Sequence, residues 1–254
     1  MTERGIRVGP FDLLRRLLVA PEPCPGCATV VPGRCPDCLA PGPAWLVRPR
    51  AAGAPGCVAA ARYLGAMRQI VLAYKEHGRL DLTVPLAGVL AGLVARFGPG
   101  PTLLIPIPAT AAARRRRGFD PVVRLCRRLP VGTATVLTMA PRPDSVGLSA
   151  RQRRRIADAT IGVRAGRAAS VRRSAARVLL VDDVVTSGAT TAAAARALRD
   201  VGITVAATVA LAATPLDSRQ AVPSARAGNR WGGADGRSTG NTRPFGGDIR
   251  PPTR

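Results

Sequence analysis

The stretch Val178–Thr190, VLLVDDVVTSGAT, holds the residues best suited to chemistry. An apolar run that reads as a buried strand ends in two carboxylates, Asp182 and Asp183, then continues into a small hydroxyl-rich loop opening a helix. Thr186, Ser187 and Thr190 offer hydroxyls, Gly188 lets a ligand approach the backbone closely, and Ala189 lies where the free amides of a helix start point outward. Such a loop is a phosphate cradle. The acids cannot bind that phosphate, but carboxylates accept hydrogen bonds from the vicinal hydroxyls of a ribose or hold Mg2+ on their oxygens. A sugar phosphate fits both halves. The bland alternative is a strand, turn and helix whose acids merely cap the helix or face an unrelated phosphate.

A second cluster lies near the N-terminus. Cys24, Cys27, Cys35 and Cys38 are spaced C-x2-C-x7-C-x2-C, with Pro25, Gly26, Pro36 and Asp37 making tight knuckles inside the pairs. Four thiolates at this spacing close a tetrahedral Zn2+ site, the rival being a redox-active or disulfide pair. The segment has too little apolar surface to fold unaided, so the zinc is expected to be structural. Six cysteines with four so clustered suit a reducing compartment, and the cytoplasm is the expected location. Cys57 and Cys126 lie outside the cluster, and Cys126, beside Val122, Val123 and Leu125, reads as a buried small hydrophobe. His77, the only histidine, has no visible Asp or Ser partner, so a hydrolytic triad is unsupported.

The elements that must position these residues divide the 254-residue chain into four parts. Residues 1–20 read as a short amphipathic helix, 21–55 as the zinc module and linker, 56–215 as an α/β domain, and 216–254 as a disordered Gly- and Pro-rich basic tail. Within the domain, 61–74 and 83–97 read as helices, and 102–107, 177–181 and 203–211 as strands, with 133–137 a weaker one. The strands are apolar throughout rather than alternating, as in a parallel sheet covered on both faces. The Ala-rich stretch 189–201, stopped by Gly202, makes the helix of a strand-helix-strand unit. The fold class is therefore α/β, a mainly parallel sheet flanked by helices. Trp45 is expected to pack partly against the zinc module, and Trp231 lies in the tail.

Lys plus Arg number 38 against 15 Asp plus Glu, a formal charge of +23. Such a balance favours polyanionic partners or phosphorylated ligands. Only 3% of residues are aromatic, which argues against a platform that stacks many bases. No stretch reaches the roughly 18–20 consecutive apolar residues of a membrane helix, so no membrane insertion is expected.

The Val178–Thr190 segment resembles the type I phosphoribosyltransferase signature at every position: apolar strand, acidic pair, Thr-Ser-Gly-x-Thr loop. The resemblance implies that Asp182 and Asp183 contact the ribose hydroxyls of 5-phosphoribosyl-1-diphosphate (PRPP), with Mg2+, while Thr186, Ser187, Gly188, Ala189 and Thr190 hold its 5′-phosphate. Thr186 stands where some purine-salvage members carry an acid, which disfavours hypoxanthine-guanine recognition. Over roughly residues 10–215 the order of features is similar to the competence protein F (ComF) family: a cysteine cluster, YKEHGR at 74–79, LLIPIP at 103–108, RRRRGFD at 114–120 and VGLSARQRRR at 146–155. Asp120 and Pro121 replace the family's usual Asn-Gln, and Ile156 its usual Asn. By analogy, Arg114 and Arg117, helped by Lys75, would bind pyrophosphate, and Arg153 would lie on a loop that closes over the site, each arginine having a solvated surface charge as its alternative.

Three functions follow. The first is a PRPP-dependent transferase acting on a base or other nitrogen acceptor. The second is a zinc-containing factor that handles single-stranded DNA in uptake or transformation, its loop vestigial or regulatory. The third is a nucleotide sensor. Members of the superfamily often dimerise, but no homodimer interface is readable here.

Overall fold

The computed structural model describes residues 22–30, 35, 37–39, 44–47, 49–141 and 160–214. The expectations for 1–20, for the tail and Trp231, and for 148–156 with Arg153 lie outside the described residues.

Continuous apolar runs form the middle of a six-stranded sheet. Its strands are β1 (Trp45–Val47), β2 (Cys57–Arg62), β3 (Thr102–Pro106), β4 (Gly132–Thr133), β7 (Arg177–Val185) and β8 (Val205–Ala213). Their order is β1-β2-β8-β7-β3-β4. Every neighbouring pair is parallel except β1 with β2. A separate antiparallel pair joins β5 (Leu137–Met139) to β6 (Ile161–Val163).

Alternation along β7 assigns the two faces. Leu179 and Val181 point into a core shared with α1 (Gly65–Glu76), α2 (Thr83–Ala95) and α4 (Pro121–Cys126), through Met67, Ile70, Leu86, Leu90, Val122 and Leu125. Val178 and Leu180 point to the other side, against Ala168 and Val171 of α5 (Ala165–Arg173) and Ala193, Ala194 and Leu198 of α6 (Ala189–Asp200). The sheet is thus covered on both faces, as the apolar strands imply.

Three expectations are corrected. The helix expected over 61–74 begins at Gly65, because Cys57–Arg62 is a strand registered on β8 from Cys57↔Thr208 to Arg62↔Ala213. CVAAAR has a helical propensity, but small residues also suit a strand sandwiched between layers, and tertiary pairing overrides the weak intrinsic preference. The strand expected over 133–137 is divided between β4 and β5, which lie in different sheets. Trp45 packs not on the cysteine module but beside Val47, Cys57, Ala59, Val185 and Ala210, since β1 sets it opposite Ala59.

Two polar contacts lock the helices around the sheet. The buried Tyr74 hydroxyl donates to the Pro121 carbonyl at 3.1 Å, and its ring lies 5.7 Å from that of Phe119. Tyr74→Phe should therefore lower stability by about 1–2 kcal/mol in denaturant titration, because the carbonyl keeps its desolvation cost without its donor. Asp120 caps α4 by accepting from the Val123 amide at 3.2 Å, while its other oxygen accepts from the Ala109 amide at 2.8 Å. A carboxylate offers two acceptor oxygens where an asparagine amide has one, so Asp120 ties α4 to the segment after β3. Among the described residues no single helix is long and apolar enough to cross a membrane.

Candidate functional site

The site lies at the carboxyl ends of β3 and β7. These strands are neighbours, with Pro106 opposite Val181 and the Ile107 amide donating to the Val181 carbonyl at 2.9 Å. That pairing brings the acidic pair beside the loop leading into α3 (Ala111–Arg117). β7 also runs further than expected, to Val185, because β8 continues alongside it through Asp182↔Ala210 and Val185↔Ala213. Both acids are thus fixed by strand backbone. Asp182 Oδ1 accepts from the Asp183 amide and Asp183 Oδ1 from the Val184 amide, each at 2.8 Å.

After Val185 the chain turns through Thr186 and Ser187 to Gly188, whose φ of 78° is left-handed and favours glycine. Thr191, which the sequence did not single out, is 1% exposed and donates to the Gly188 carbonyl at 2.9 Å, closing the turn onto α6. The connection between β1 and β2 presses on the loop from outside. The Ala51 amide donates to the Ser187 carbonyl at 3.0 Å, and Arg196 of α6 donates to the Ala52 carbonyl at 3.2 Å. A Cβ added at Gly188 would run into the Pro49 ring and lie 3.4 Å from the Ala54 Cβ. Gly188→Ala therefore combines a strained φ with a steric clash, and a loss of about 1–3 kcal/mol is expected on unfolding in urea.

Lys75, at the end of α1, sets its Nζ 2.7 Å from Asp183 Oδ2, whose side chain is 8% exposed. Burial alone would lower the lysine pKa, but the charge and hydrogen bond of Asp183 outweigh it and the net shift is upward. Its folded pKa lies above its ordinary value, so the stability that the raised lysine contributes is present at neutral pH and is lost as pH rises through that value. Next to it, Glu76 accepts from Arg117 Nη2 at 2.5 Å and Nε at 3.2 Å, and from Arg116 Nη2 at 3.3 Å. Burial would raise the Glu76 pKa, yet Arg117 and Arg116 bring it below its ordinary 4.5. The clamp therefore holds at neutral pH and should fail as pH falls through that lowered value, which carboxyl NMR titration would follow. Arg114 is exposed on α3. Lys75, Asp183 and Arg117 are thus brought together, with Glu76 an unanticipated fourth member.

The four cysteines also converge. Their Sγ atoms lie within 4.8 Å of one another, and Cys27 Sγ is 3.6 Å from Cys35 Sγ. Sulfurs about 2.3 Å from a shared ion in tetrahedral array stand about 3.8 Å apart, so the set fits one metal ion. Side-chain and backbone hydrogen bonds from Thr29 lower the Cys27 pKa to about 6, which favours the ligating thiolate, whereas burial raises that of Cys24. The cluster rests on α1. Gly26 lies so close that an added Cβ would be 3.0 Å from the Ala66 Cβ and 3.1 Å from Ile70 Cδ1. Arg79, just past α1, holds Glu22 Oε2 at 2.6 Å and donates to the Pro23 carbonyl at 3.1 Å. Cys57 and Cys126 are buried apart from it, and burial pushes both thiols up to about 12. His77 is exposed at the end of α1.

Residues 113–224 match the family model of the phosphoribosyl transferase domain. The matched segment begins within α3 and includes Arg114, Arg117, the acidic pair and the whole of the Thr186–Thr190 loop. The mainly parallel sheet flanked by helices is consistent with the type I phosphoribosyltransferase fold. Lys75, Glu76 and the cysteine cluster lie before the matched segment. No curated protein matches the chain.

Proposed function

We propose that the protein is a PRPP-dependent phosphoribosyltransferase of the competence protein F type, with Zn2+ held by Cys24, Cys27, Cys35 and Cys38. The observation that carries the reading is the acidic pair at the carboxyl end of β7, followed directly by the hydroxyl-rich loop at the start of α6, within the phosphoribosyl transferase segment. Thr186, Ser187, Gly188, Ala189 and Thr190 receive the 5′-phosphate, and Asp182 and Asp183 hold the ribose hydroxyls. Cleavage at the anomeric carbon leaves positive charge on the ribose and negative charge on departing pyrophosphate, so cations must face the leaving group. Lys75, Arg114 and Arg117 supply them, and Arg153 closes over the site. The carboxylates of Asp182 and Asp183 would hold Mg2+ on their oxygens, and the ion would supply further neutralisation. The acceptor is a nitrogen nucleophile that takes the phosphoribosyl group. A reducing cytoplasm suits the thiol cluster.

Calorimetry with PRPP and Mg2+ tests this at a salt concentration high enough to screen nonspecific anion attraction. Binding by the native chain that is lost in the Asp182→Asn/Asp183→Asn double variant supports the reading. Equal binding by both refutes it.

The second reading, a factor for single-stranded DNA, draws on the formal charge of +23 and on exposed Arg114, Arg115 and Arg116. It predicts steeply salt-dependent DNA binding that the two Asp substitutions leave unchanged.

A further inference from the structure

We propose that Glu76 is a positioning residue for the pyrophosphate half of the site, and that with Lys75 it fixes the spacing between the acidic pair and the arginine helix. The inference rests on the phosphoribosyl reading of the same site and adds a residue outside the matched segment.

The geometry is that of a double tie from one helix end. Consecutive residues reach in two directions: Lys75 to Asp183 on β7, and Glu76 to Arg117 and Arg116 on α3. Glu76 grips Arg117 with both carboxylate oxygens, since Nη2 meets Oε1 and Nε meets Oε2. A fork held by two parallel bonds has a fixed plane, which a single contact does not impose. The Arg117 side chain is only 10% exposed, whereas that of Arg116 is 67% exposed. The grip thus anchors the end of α3 through its most covered arginine, and the more exposed arginines project from a fixed base.

Helix α1 is a rigid carrier for the two ties. Its first turns lie under the cysteine cluster at Ala66 and Ile70, and its last turn is pinned by the Tyr74 hydroxyl to Pro121. Neither tied element, strand β7 or helix α3, can shift against the other without breaking a charged contact or lifting a packed helix. A ligand spanning ribose and diphosphate needs that spacing, whereas one that ends at the ribose does not.

The comparison of PRPP with ribose 5-phosphate, which lacks the diphosphate, tests the inference. Calorimetry at elevated salt on the full chain is expected to show that Glu76→Gln weakens PRPP binding at least about tenfold, because small misplacements of a charged group carry large penalties. Ribose 5-phosphate binding should change less than about twofold, and Glu76→Asp should restore part of the PRPP affinity. Unchanged or tighter PRPP binding in Glu76→Gln, or equal loss for both ligands, would overturn the positioning role while leaving the phosphoribosyl reading intact. If the native chain bound neither ligand, the phosphoribosyl reading and this inference would fall together.

Discussion

Asp183→Asn alone should cost the protein its affinity for PRPP, by about ten- to a hundredfold in calorimetry, the range for losing a charged hydrogen-bond partner. The substitution acts twice. It removes a carboxylate that is fixed on the strand by the Val184 amide, and it leaves the Lys75 ammonium without its 2.7 Å partner. Because 30% of the Lys75 side chain is exposed, water takes up part of that charge, and the stability loss should stay near 1 kcal/mol rather than reach the cost of a fully buried orphan. Adding Lys75→Met tests the stability consequence, because it removes the orphaned ammonium along with one of the cations proposed for pyrophosphate. The Lys75→Met/Asp183→Asn chain should regain stability in denaturant titration while PRPP binding remains lost. Recovery of binding in the double variant would mean that Asp183 serves only to neutralise the lysine.

Loss of the metal proposed at the four cysteines should have the largest effect on stability. Cys24, Cys35 and Cys38 are buried in the same core as Met67 and Ile70, so the knuckles form part of the packing around α1. Cys38→Ser, or a strong chelator, should remove one equivalent of zinc and lower stability on the order of 5 kcal/mol, since the segment has little apolar surface with which to fold unaided. Thermal melting with metal analysis measures both. Gly26→Ala gives an independent check, because the new methyl would lie 2.9 Å from Cys38 Sγ as well as against Ala66 and Ile70. It should loosen the module without deleting a ligand. An unchanged melting temperature for Cys38→Ser would show that the cluster is not a metal staple.

The legible parts of this molecule were those written in contiguous residues. The acidic pair, the hydroxyl loop and the helix after it are adjacent in the chain, and chemistry and local conformation agree there. The C-x2-C pairs are legible for the same reason, since each knuckle is a local turn. What could not be read is pairing at a distance. Nothing local tells Lys75 that Asp183, or Glu76 that Arg117, stands opposite, because the sheet order β8-β7-β3 and the packing of α1 decide it. Ala-rich β2 escapes a sequence reading for a related reason, with 57–60 carrying no assignment and Ala61 and Arg62 reading as helix. Its strand state is imposed by β8, so residues some 150 positions away determine what CVAAAR becomes.

The contact of the 49–54 connection with the Thr186–Thr190 loop bears on how the protein can be dissected. Composition suggests cutting near residue 55 and treating the cysteine-bearing part and the sheet as separable units. Such a cut would strip Pro49 from Gly188 and the Ala51 amide from the Ser187 carbonyl, uncovering the outer side of the turn proposed to receive a phosphate. A fragment beginning at residue 56 should therefore keep its central strands yet hold PRPP poorly. Grafting the cysteine part of one such protein onto the sheet of another would succeed only if the joining peptide travels with the loop it braces.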